Sequence, residues 1–459
     1  MSMILYEHVF ISTMESILLV SCLFATVNAI IYEPTWESID SRPLPSWYDE
    51  AKIGIQLHWG VYSVPGFSNE WFWIHWKDQH WHLVDYMQKN YKPGFSYQEF
   101  ANEFTAEFYD PADWVKLFKE AGAKYVVLTS KHHEGYTMWP SAYSFSWNVG
   151  DVGPHRDLLG DLAWETRQAD LKFGVYHSFL EWFNPMYASD KYNDYNTDVF
   201  VKNKVYPELV ELVNKYTPDM IWGGGEWEAT DTYWKSKEFL AWLYNESPVK
   251  DTVIINDRWG SDEVLCLHGG VYTCYNGNIP EGVLPHKWET SMTIDKKSWG
   301  YRRDIKLSEC MTIHELLTSM IQTVSCGGNF LINIGPSKEG TIIPIFRQKL
   351  QELGEWLNIN GDAIYKSKPW FYQSDPIANT WYTSKDTTVY AFTFYWPEND
   401  IFKSERLFEL FLTQPVEAYL LGNDEKLEWV TVDNRVEITL PDKAEVTSQW
   451  VWVIKIVQI

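Results

Sequence analysis

The sequence predicts an α/β fold: a (β/α)8 TIM-like barrel followed by a C-terminal antiparallel β-sandwich. Short apolar segments alternate with amphipathic helical segments from about residue 50 to residue 355, and polar and aromatic residues cluster where the apolar segments end. After about residue 370 the pattern changes to alternation of apolar and polar residues. Strand–helix alternation over this length is typical of a parallel sheet, and barrel enzymes place their chemistry at the carboxyl ends of the strands.

Hydrophobic spacing predicts the individual elements. The barrel, assigned to residues 30–360, is expected to contain strands at 52–59, 125–131, 172–177, 219–224, 252–258 and 329–334. Helices are expected at 111–122, 158–169, 205–216 and 232–244. The sandwich, assigned to residues 361–459, is expected to contain strands at 387–396, 427–432, 436–440 and 450–457.

Residues 1–29 have the pattern of a cleaved secretory signal peptide. The apolar run at 17–26 is too short to span a bilayer, and Val27-Asn28-Ala29 is a small-residue cleavage pattern. We therefore expect a secreted or lysosomal protein whose mature chain starts near Ile30. No later segment of the sequence has the length and apolarity of a transmembrane helix.

Composition limits the classes of partner. The formal net charge is −24, so the surface should repel nucleic acid and anionic membranes, and neither partner is expected. The chain contains 26 Trp, 28 Tyr and 23 Phe. Most of these aromatic residues should pack in the core, and the remainder are expected to line a cleft for sugars, whose C–H faces stack on aromatic rings.

The cysteines leave two interpretations open. Cys22 would leave with the signal peptide, and the spacing of the remaining four cysteines matches no zinc motif. In an oxidising compartment Cys266 and Cys274 could pair, whereas buried free thiols are the alternative. Asn245-Glu-Ser247 is a glycosylation sequon, and the Pro248 that follows it lowers the expected occupancy.

Three clusters at predicted strand ends carry residues suited to binding a sugar. They are Gly54-Ile-Gln-Leu-His-Trp-Gly60, Leu128-Thr-Ser-Lys-His-His-Glu-Gly-Tyr136 and Phe173-Gly-Val-Tyr-His-Ser178. A neutral histidine can donate one hydrogen bond to a sugar hydroxyl and accept another. Metal binding is the competing interpretation, but no third ligand stands at a recognisable spacing, so neither a metal nor a cofactor is expected.

At these clusters the chain resembles the α-L-fucosidases of glycoside hydrolase family 29. The resemblance extends over nearly all of the mature chain and is closest to the animal lysosomal type. Further matching motifs are Asp-Val-Gly-Pro-His-Arg-Asp at 151–157, Ile-Asn-Asp-Arg-Trp-Gly at 255–260, His-Lys-Trp-Glu at 286–289 and Ser-Trp-Gly-Tyr-Arg-Arg at 298–303. The resemblance implies a barrel with a C-terminal β-sandwich that removes terminal α-L-fucose from glycoproteins and glycolipids with retention of configuration. Fucosylated glycans would be its partners, and homo- or hetero-oligomers are possible by analogy.

The resemblance also implies roles for particular residues. Glu289, in His-Lys-Trp-Glu, would be the general acid/base, and Trp299 would pack against the methyl face of fucose. The residues that would hold the fucose hydroxyls are His58, Glu70, Trp71, His132, His133, Tyr176 and Arg258.

One position departs from the family pattern. The family nucleophile is an Asp in Ile-Trp-Ser-Asp-Gly-Glu-Trp, and here the same stretch reads Ile221-Trp-Gly-Gly-Gly-Glu-Trp227, which places Gly224 at the position of the nucleophile. A retaining glycosidase needs two carboxyl groups about 5–5.5 Å apart, so hydrolysis is expected to be severely impaired. Glu226, on the same face of the predicted strand, is not expected to substitute. Natural loss, an engineered glycosynthase-type change and an error at this codon all remain open as origins.

Three functions follow as alternatives. An active enzyme would release fucose from aryl fucosides by another route. A secreted fucose-binding pseudoenzyme would bind fucosides without releasing product. A non-catalytic partner of an active fucosidase would need neither property.

Overall fold

Parallel strands form the central sheet of the barrel, and most of their residues are buried because side chains fill the interior while helices cover the outside. This computed structural model describes residues 30–261, 264–274 and 277–459. The strand order is β5-β4-β3-β2-β1-β7-β6. The strands are β1 (Ile53–Leu57), β2 (Tyr125–Lys131), β3 (Lys172–Ser178), β4 (Met220–Gly224), β5 (Ile254–Ile255), β6 (Glu289–Thr293) and β7 (Asn329–Ile334).

A two-residue segment closes the barrel between β5 and β6. Val271 forms a parallel bridge with Asn256, directly after β5, and Tyr272 forms a parallel bridge with Trp288, directly before β6. The Tyr272 amide donates to the Lys287 carbonyl at 3.0 Å, and the Glu289 amide donates to the Tyr272 carbonyl at 2.8 Å. The predicted eight-stranded barrel is thus confirmed, with the eighth strand reduced to this short segment.

Helices surround the barrel, and the last two of them lie beside the C-terminal region. They are α1 (Trp36–Asp40), α2 (Ser46–Ala51), α3 (Phe72–Lys77), α4 (Trp81–Asn90), α5 (Pro111–Glu120), α6 (Leu158–Gln168), α7 (Pro185–Tyr192), α8 (Tyr206–Tyr216), α9 (Asp231–Trp234), α10 (Ser236–Asn245), α11 (Ile313–Ser325) and α12 (Pro344–Asn360). Asp110 caps α5, which has Pro111 at its first position, and Thr312 forms a capping box with Glu315 at the start of α11.

Two antiparallel sheets form the C-terminal sandwich. One has the order β12-β15-β10-β9-β8 and the other β11-β14-β13. Their apolar faces meet in a core that includes Tyr382, Phe402, Ile438 and Ile454. The strands are β8 (Lys368–Ser374), β9 (Thr380–Lys385), β10 (Thr388–Thr393), β11 (Ile401–Ser404), β12 (Val416–Leu420), β13 (Trp429–Val432), β14 (Arg435–Thr439) and β15 (Trp452–Gln458), and α13 (Phe408–Thr413) lies between β11 and β12.

The other side of the larger sheet packs against the barrel. Phe392 and Val453 belong to the barrel's hydrophobic core, and the Trp356 indole on α12 donates a 2.8 Å hydrogen bond to the Val451 carbonyl. The predicted sandwich is therefore confirmed. The helix predicted at 232–244 is divided into α9 and α10 because Lys235 adopts a left-handed conformation, with φ of 57°. The predicted signal peptide, 1–29, lies outside the described residues.

Candidate functional site

A cavity of about 280 Å³ opens at the carboxyl ends of the barrel strands. It contains every residue that the sequence assigned to fucose binding, together with Gly224, but it does not contain Glu289. Three further residues, Gln56, Trp222 and Trp227, were not predicted. The lining residues are Gln56, His58, Glu70, Trp71, His132, His133, Tyr176, Trp222, Gly224, Trp227, Arg258 and Trp299.

His58 is fixed in one tautomer at the end of β1. Its Nδ1 lies 2.7 Å from Asn333 Oδ1, and the Asn333 amide nitrogen donates to the Trp299 carbonyl at 2.7 Å and to Thr293 Oγ1 at 3.1 Å. Because the amide nitrogen is committed to these acceptors, Oδ1 must accept from His58 Nδ1–H. Burial, followed by the nearby His132, lowers the pKa of His58 from 6.5 to about 3. His58 is therefore neutral, and its Nε2 is a hydrogen-bond acceptor.

His133 has the same arrangement at the end of β2. Its Nδ1 lies 2.7 Å from Ser178 Oγ, which donates its own proton to the Leu180 carbonyl at 2.9 Å. Ser178 must therefore accept from His133 Nδ1–H, which leaves Nε2 as an acceptor. Burial lowers the pKa of His133 well below its usual value. His58 and His133 thus offer neutral acceptors suited to sugar hydroxyls.

His132 lies beside a carboxyl group without forming an ion pair. Its Nδ1 is 3.4 Å from Glu134 Oε2, and neither atom has a hydrogen-bond partner among the residues that the structure describes. Burial lowers the pKa of His132 from 6.5 to about 4 and raises the pKa of Glu134 from 4.5 to about 8. Both side chains are consequently neutral between about pH 5 and pH 7.

A buried network of charges supports the loop that carries His132 and His133, which we call the histidine loop. Lys131, the last residue of β2, donates to Glu181 Oε1 at 2.8 Å and to Glu208 Oε2 at 2.7 Å, and all three side chains are buried. Lys204 also pairs with both carboxylates. Charges removed from water need such compensation, so the network fixes the strand end from which His132 and His133 project.

Glu70 connects the pocket to the loop that carries Trp299. Its Oε2 accepts from the Trp299 amide at 3.0 Å and from the Gly300 amide at 3.3 Å. These charge-assisted hydrogen bonds hold Trp299 at the edge of the cavity, where its ring lies 5.4 Å from that of His58. In this position the Trp299 ring can form a wall of the cavity that packs against an apolar part of a ligand.

Arg258 borders the pocket and pairs with Glu226. Its Nη1 lies 3.3 Å from Glu226 Oε1, its Nε lies 3.2 Å from Thr273 Oγ1, and its guanidinium is 5.3 Å from the centre of the Trp222 ring. Burial raises the pKa of Glu226. The expectation that Glu226 lies on the strand face of position 224 is wrong, because β4 ends at Gly224 and Gly225, with φ of 75°, turns the chain.

Gly224 is the last residue of β4, and its pocket side is covered by Tyr176. A Cβ placed on Gly224 would lie 2.6 Å from Tyr176 Cζ and 2.7 Å from Cε2. The space that a side chain would need is therefore occupied by the phenol ring. Burial, followed by the Glu226 carboxyl, raises the pKa of Tyr176, so the phenol stays protonated.

The structure does not bring Glu289 to the pocket, which corrects the assignment of this residue as general acid/base. Glu289 begins β6 and is fully buried at the amino end of the barrel. Its carboxyl accepts hydrogen bonds from Tyr48 at 2.7 Å, from Tyr125 at 2.6 Å and from the Trp222 indole at 3.0 Å. Burial also raises its pKa. A group enclosed by these three donors cannot exchange a proton with a ligand in the cavity.

The loop between β5 and β6 carries a disulfide, which is one of the two interpretations that the sequence left open for Cys266 and Cys274. Cys266 and Cys274 are bonded, with 5.9 Å between their Cα atoms, and the Asp257 carboxylate accepts from the amides of Cys266 and Thr273 at 2.9 Å each. Asp257 and the two sulfurs lie close enough to suggest a metal site, but the disulfide removes both thiolates. Cys310 and Cys326 are buried free thiols.

Comparison with known families agrees with this architecture. A family model described as Alpha-L-fucosidase matches residues 21–362, and one described as Alpha-L-fucosidase C-terminal domain matches residues 373–457. The chain belongs to the α-L-fucosidase family.

Curated relatives match this fucosidase family member over most of their length. A tissue alpha-L-fucosidase of Rattus norvegicus is 52% identical over 89% of this chain and 88% of its own. A plasma alpha-L-fucosidase of Homo sapiens is 45% identical over 94% of each. In the part of the chain that the structure describes, every helix is too short or too polar to traverse a lipid bilayer.

Solved fucosidase structures share the fold. An α-fucosidase of Thermotoga maritima in complex with fucose has a TM-score of 0.80 and 32% identity, covering 93% of this chain and all of its own. An α-L-fucosynthase of the same organism, whose name records an aspartate-to-glycine change, has a TM-score of 0.82 and 33% identity at the same coverage. That fucosynthase is in complex with a fucosyl-fucose azide.

Proposed function

We propose that this member of the α-L-fucosidase family binds the terminal α-L-fucose of glycoproteins and glycolipids but hydrolyses it very slowly. The observation that carries the proposal is the combination of a complete set of sugar-binding side chains with a glycine at the nucleophile position. His58 and His133 present neutral acceptors, and Arg258 and Glu70 supply charged groups of opposite sign. This set suits a small polyhydroxylated ligand.

Slow hydrolysis is expected because the described part of the pocket wall contains one carboxyl group rather than two. Glu70 is that group, and one of its oxygens already holds the Trp299 loop. Retaining hydrolysis needs a nucleophile and an acid/base about 5–5.5 Å apart. Tyr176 does not supply the nucleophile, because its raised pKa keeps the phenol protonated. The loss of covalent catalysis should lower kcat by several powers of ten, each about 1.4 kcal/mol in the barrier.

Two of the relatives support the binding half of the proposal. The T. maritima α-fucosidase is solved with fucose, and the T. maritima fucosynthase retains a fucose-containing ligand despite its aspartate-to-glycine change. The relatives named tissue and plasma alpha-L-fucosidase support a lysosomal or extracellular location as a part of this proposal.

The test combines binding with turnover. Methyl α-L-fucoside should bind with a Kd in the micromolar to millimolar range by calorimetry or ligand-observed NMR, and an aryl α-L-fucoside should release almost no phenol between about pH 4 and pH 7. Azide or formate should relieve the block by acting in place of the missing carboxylate once the Tyr176 ring moves aside, with β-L-fucosyl azide as the product of azide. Rapid release without additive would overturn the impairment, and the absence of binding would overturn the ligand.

A further inference from the structure

His132 differs from the other two pocket histidines in the group that its Nδ1 atom faces. His58 and His133 donate from Nδ1 to fixed acceptors, so their Nε2 atoms accept hydrogen bonds. The Nδ1 of His132 is enclosed and lies 3.4 Å from Glu134 Oε2, which leaves Nε2 as the atom that His132 offers to the cavity. The partner of one ring nitrogen decides which nitrogen carries the proton, so Glu134 decides what His132 presents to a ligand.

Glu134 is held by the fold as an uncharged carboxyl group. Its side chain is 1% exposed, and among the described residues no lysine or arginine lies within ion-pair distance of it. Lys131, at the end of β2, pairs with Glu181 and Glu208 instead. A buried carboxylate without a cation is costly, so Glu134 keeps its proton. In agreement with this, burial and Glu181 raise the pKa of Glu134 to about 8, although Lys131 acts to lower it.

The other titratable groups around Glu134 and His132 do not change this assignment. They are Tyr62, Tyr97, Tyr136, Tyr176 and Glu70. Burial raises the pKa of each tyrosine, so the four phenols stay protonated, and the Glu70 carboxyl accepts two backbone amides of the Trp299 loop. The neighbouring His58 and His133 are neutral. Glu134 is thus the group beside His132 Nδ1 that has a proton to donate.

We propose that Glu134 is a positioning residue that fixes His132 in the tautomer opposite to that of His58 and His133, and so makes His132 the hydrogen-bond donor among the three. The carboxyl proton donates from Glu134 Oε2 to His132 Nδ1, and a small rotation of either side chain shortens their separation of 3.4 Å. The Nε2–H of His132 then donates into the cavity. The inference rests on the proposed function in one respect, because it takes a sugar as the ligand that receives this hydrogen bond.

The consequence is a donor and an acceptor side by side on the histidine loop. The rings of His132 and His133 have centres 4.0 Å apart, so the Nε2–H of the first and the unprotonated Nε2 of the second face the same ligand. Two neighbouring hydroxyl groups of a sugar fit this pair, because one accepts a hydrogen bond and the other donates one. Glu134, which does not line the cavity, therefore contributes to ligand selection through His132.

The first measurement is the tautomer itself, because it requires no ligand. In the full chain labelled with 15N-histidine, protonated and unprotonated ring nitrogens have well separated NMR shifts, and the signals lost in His132→Gln identify His132. At about pH 6 the proton of His132 should be on Nε2. As the pH rises through about 8, Glu134 should ionise and become an acceptor, and the proton of His132 should move to Nδ1.

Affinity gives the functional measurement. Loss of the donor should weaken the binding of methyl α-L-fucoside by about tenfold between about pH 6 and pH 9, as expected for one hydrogen bond. Glu134→Gln keeps an N–H donor for His132 Nδ1 but does not ionise. It should bind like the wild type at about pH 6, and it should show neither the tautomer change nor the loss of affinity at about pH 9. The matched control is Glu120→Gln on α5, an exposed carboxyl group that should leave the pH dependence of the wild type unchanged.

Circular dichroism of each variant verifies folding, and the NMR titration of the wild type decides the tautomer even if Glu134→Gln is unstable. A proton on His132 Nδ1 at about pH 6 would overturn the inference and leave the proposed function intact. A pH dependence of Glu134→Gln equal to that of the wild type would do the same. Failure of the wild type to bind methyl α-L-fucoside would overturn the proposed function, while the tautomer measurement would still decide the role of Glu134.

Discussion

The Trp222 indole donates a 3.0 Å hydrogen bond to Glu289 Oε1, which ties a wall of the pocket to a carboxyl group at the opposite end of the barrel. The other carboxyl oxygen accepts from Tyr48 and Tyr125. On its pocket side the Trp222 ring lies 5.5 Å from that of Tyr176 and beneath the Arg258 guanidinium. Glu289 therefore acts on the pocket by positioning Trp222.

Replacing Glu289 should distinguish this positioning role from acid/base catalysis. Glu289→Ala leaves a cavity and three donors without an acceptor, so the free energy of unfolding should fall by about 3 kcal/mol or more. Glu289→Gln keeps an oxygen for Trp222 and should cost about 1 kcal/mol, with fucoside binding retained. Urea denaturation and calorimetry measure both effects. Full stability of Glu289→Ala would show that the buried carboxyl is not a structural anchor.

Gly224→Asp should restore a nucleophile and raise the hydrolysis of an aryl α-L-fucoside by about 100-fold or more. The new side chain requires the Tyr176 ring to move, which is possible because the contacting atoms are at the end of a side chain. Initial rates of phenol release measure the gain. Gly224→Ala is the control, since it makes the same demand on Tyr176 without supplying a carboxylate, and it should show no gain. Equal rates for the two variants would contradict the assignment of position 224.

Gly223 and Gly224 should differ in their tolerance of a methyl group. A Cβ on Gly223 would lie 2.7 Å from the Arg258 carbonyl oxygen, which is backbone, whereas at Gly224 the obstacle is the Tyr176 side chain. Gly223→Ala should therefore lower the free energy of unfolding by about 1–3 kcal/mol, and Gly224→Ala by less. Thermal or urea unfolding of the two variants decides this. The reverse order would mean that the Tyr176 ring cannot move.

Lys131→Met should destabilise the protein by about 3–5 kcal/mol, because it leaves Glu181 and Glu208 buried with one cation fewer. Lys89→Met is a suitable control, since the Lys89–Asp85 pair is exposed and should contribute about 0.5 kcal/mol or less. Unfolding free energies from urea titration compare the two. Similar values for both variants would show that the buried network is not needed to hold the histidine loop.

Acidification should destabilise the pocket through its histidines. His58 and His132 have folded pKa values of about 3 and 4, below the usual 6.5, so the unfolded chain binds protons that the folded chain excludes as the pH falls from 6.5 towards 4. Each histidine costs up to about 1.4 kcal/mol per pH unit in this window. Glu134 opposes them: its pKa of about 8 lies above 4.5, so its contribution is complete below pH 4.5 and is lost as the pH rises through 8.

The histidines lower the free energy of unfolding as the pH falls from 6.5 to 4.5, whereas Glu134, Glu226 and Glu289, whose pKa values burial raises, act in the opposite direction. Urea titrations at several pH values measure the slope, and His132→Gln should reduce it. A slope that is unaffected by this substitution would show that His132 is protonated in the folded state.

The sequence was sufficient to predict most of the residues that line the cavity, because the motif residues directly follow the strands that position them. Gln56 was missed although it lies in β1 two residues before His58, which directly follows the strand, and an extended chain directs side chains at this spacing to the same side. Trp227 was missed although it ends the motif that contains Gly224, because the motif alone does not show that its ring lines the cavity. Both could have been found from strand alternation and from the neighbouring motif.

Glu289 could not be placed from its motif. The motif shows which residues adjoin Glu289 in the chain. The direction of the Glu289 side chain, however, depends on where β6 begins, and that strand was not predicted. The closing segment at 271–272 was also missed, since two residues give no hydrophobic period to recognise. The covering of Gly224 by Tyr176 depends on packing between β3 and β4, which one strand's sequence does not contain.

Because the closing segment has only two residues, the stability against local opening should differ around the barrel. Neighbouring strands such as β2 and β3 pair over six registered positions, whereas each side of the segment is held by a single bridge. Local opening should therefore begin at the closing segment, and the Tyr272 amide should exchange with solvent deuterium sooner than the amides of β2. Thr273, the next residue, contacts Arg258. Local opening of the closing segment would therefore change the shape of the pocket entrance, while the side of the pocket that His58, His132 and His133 form stays rigid.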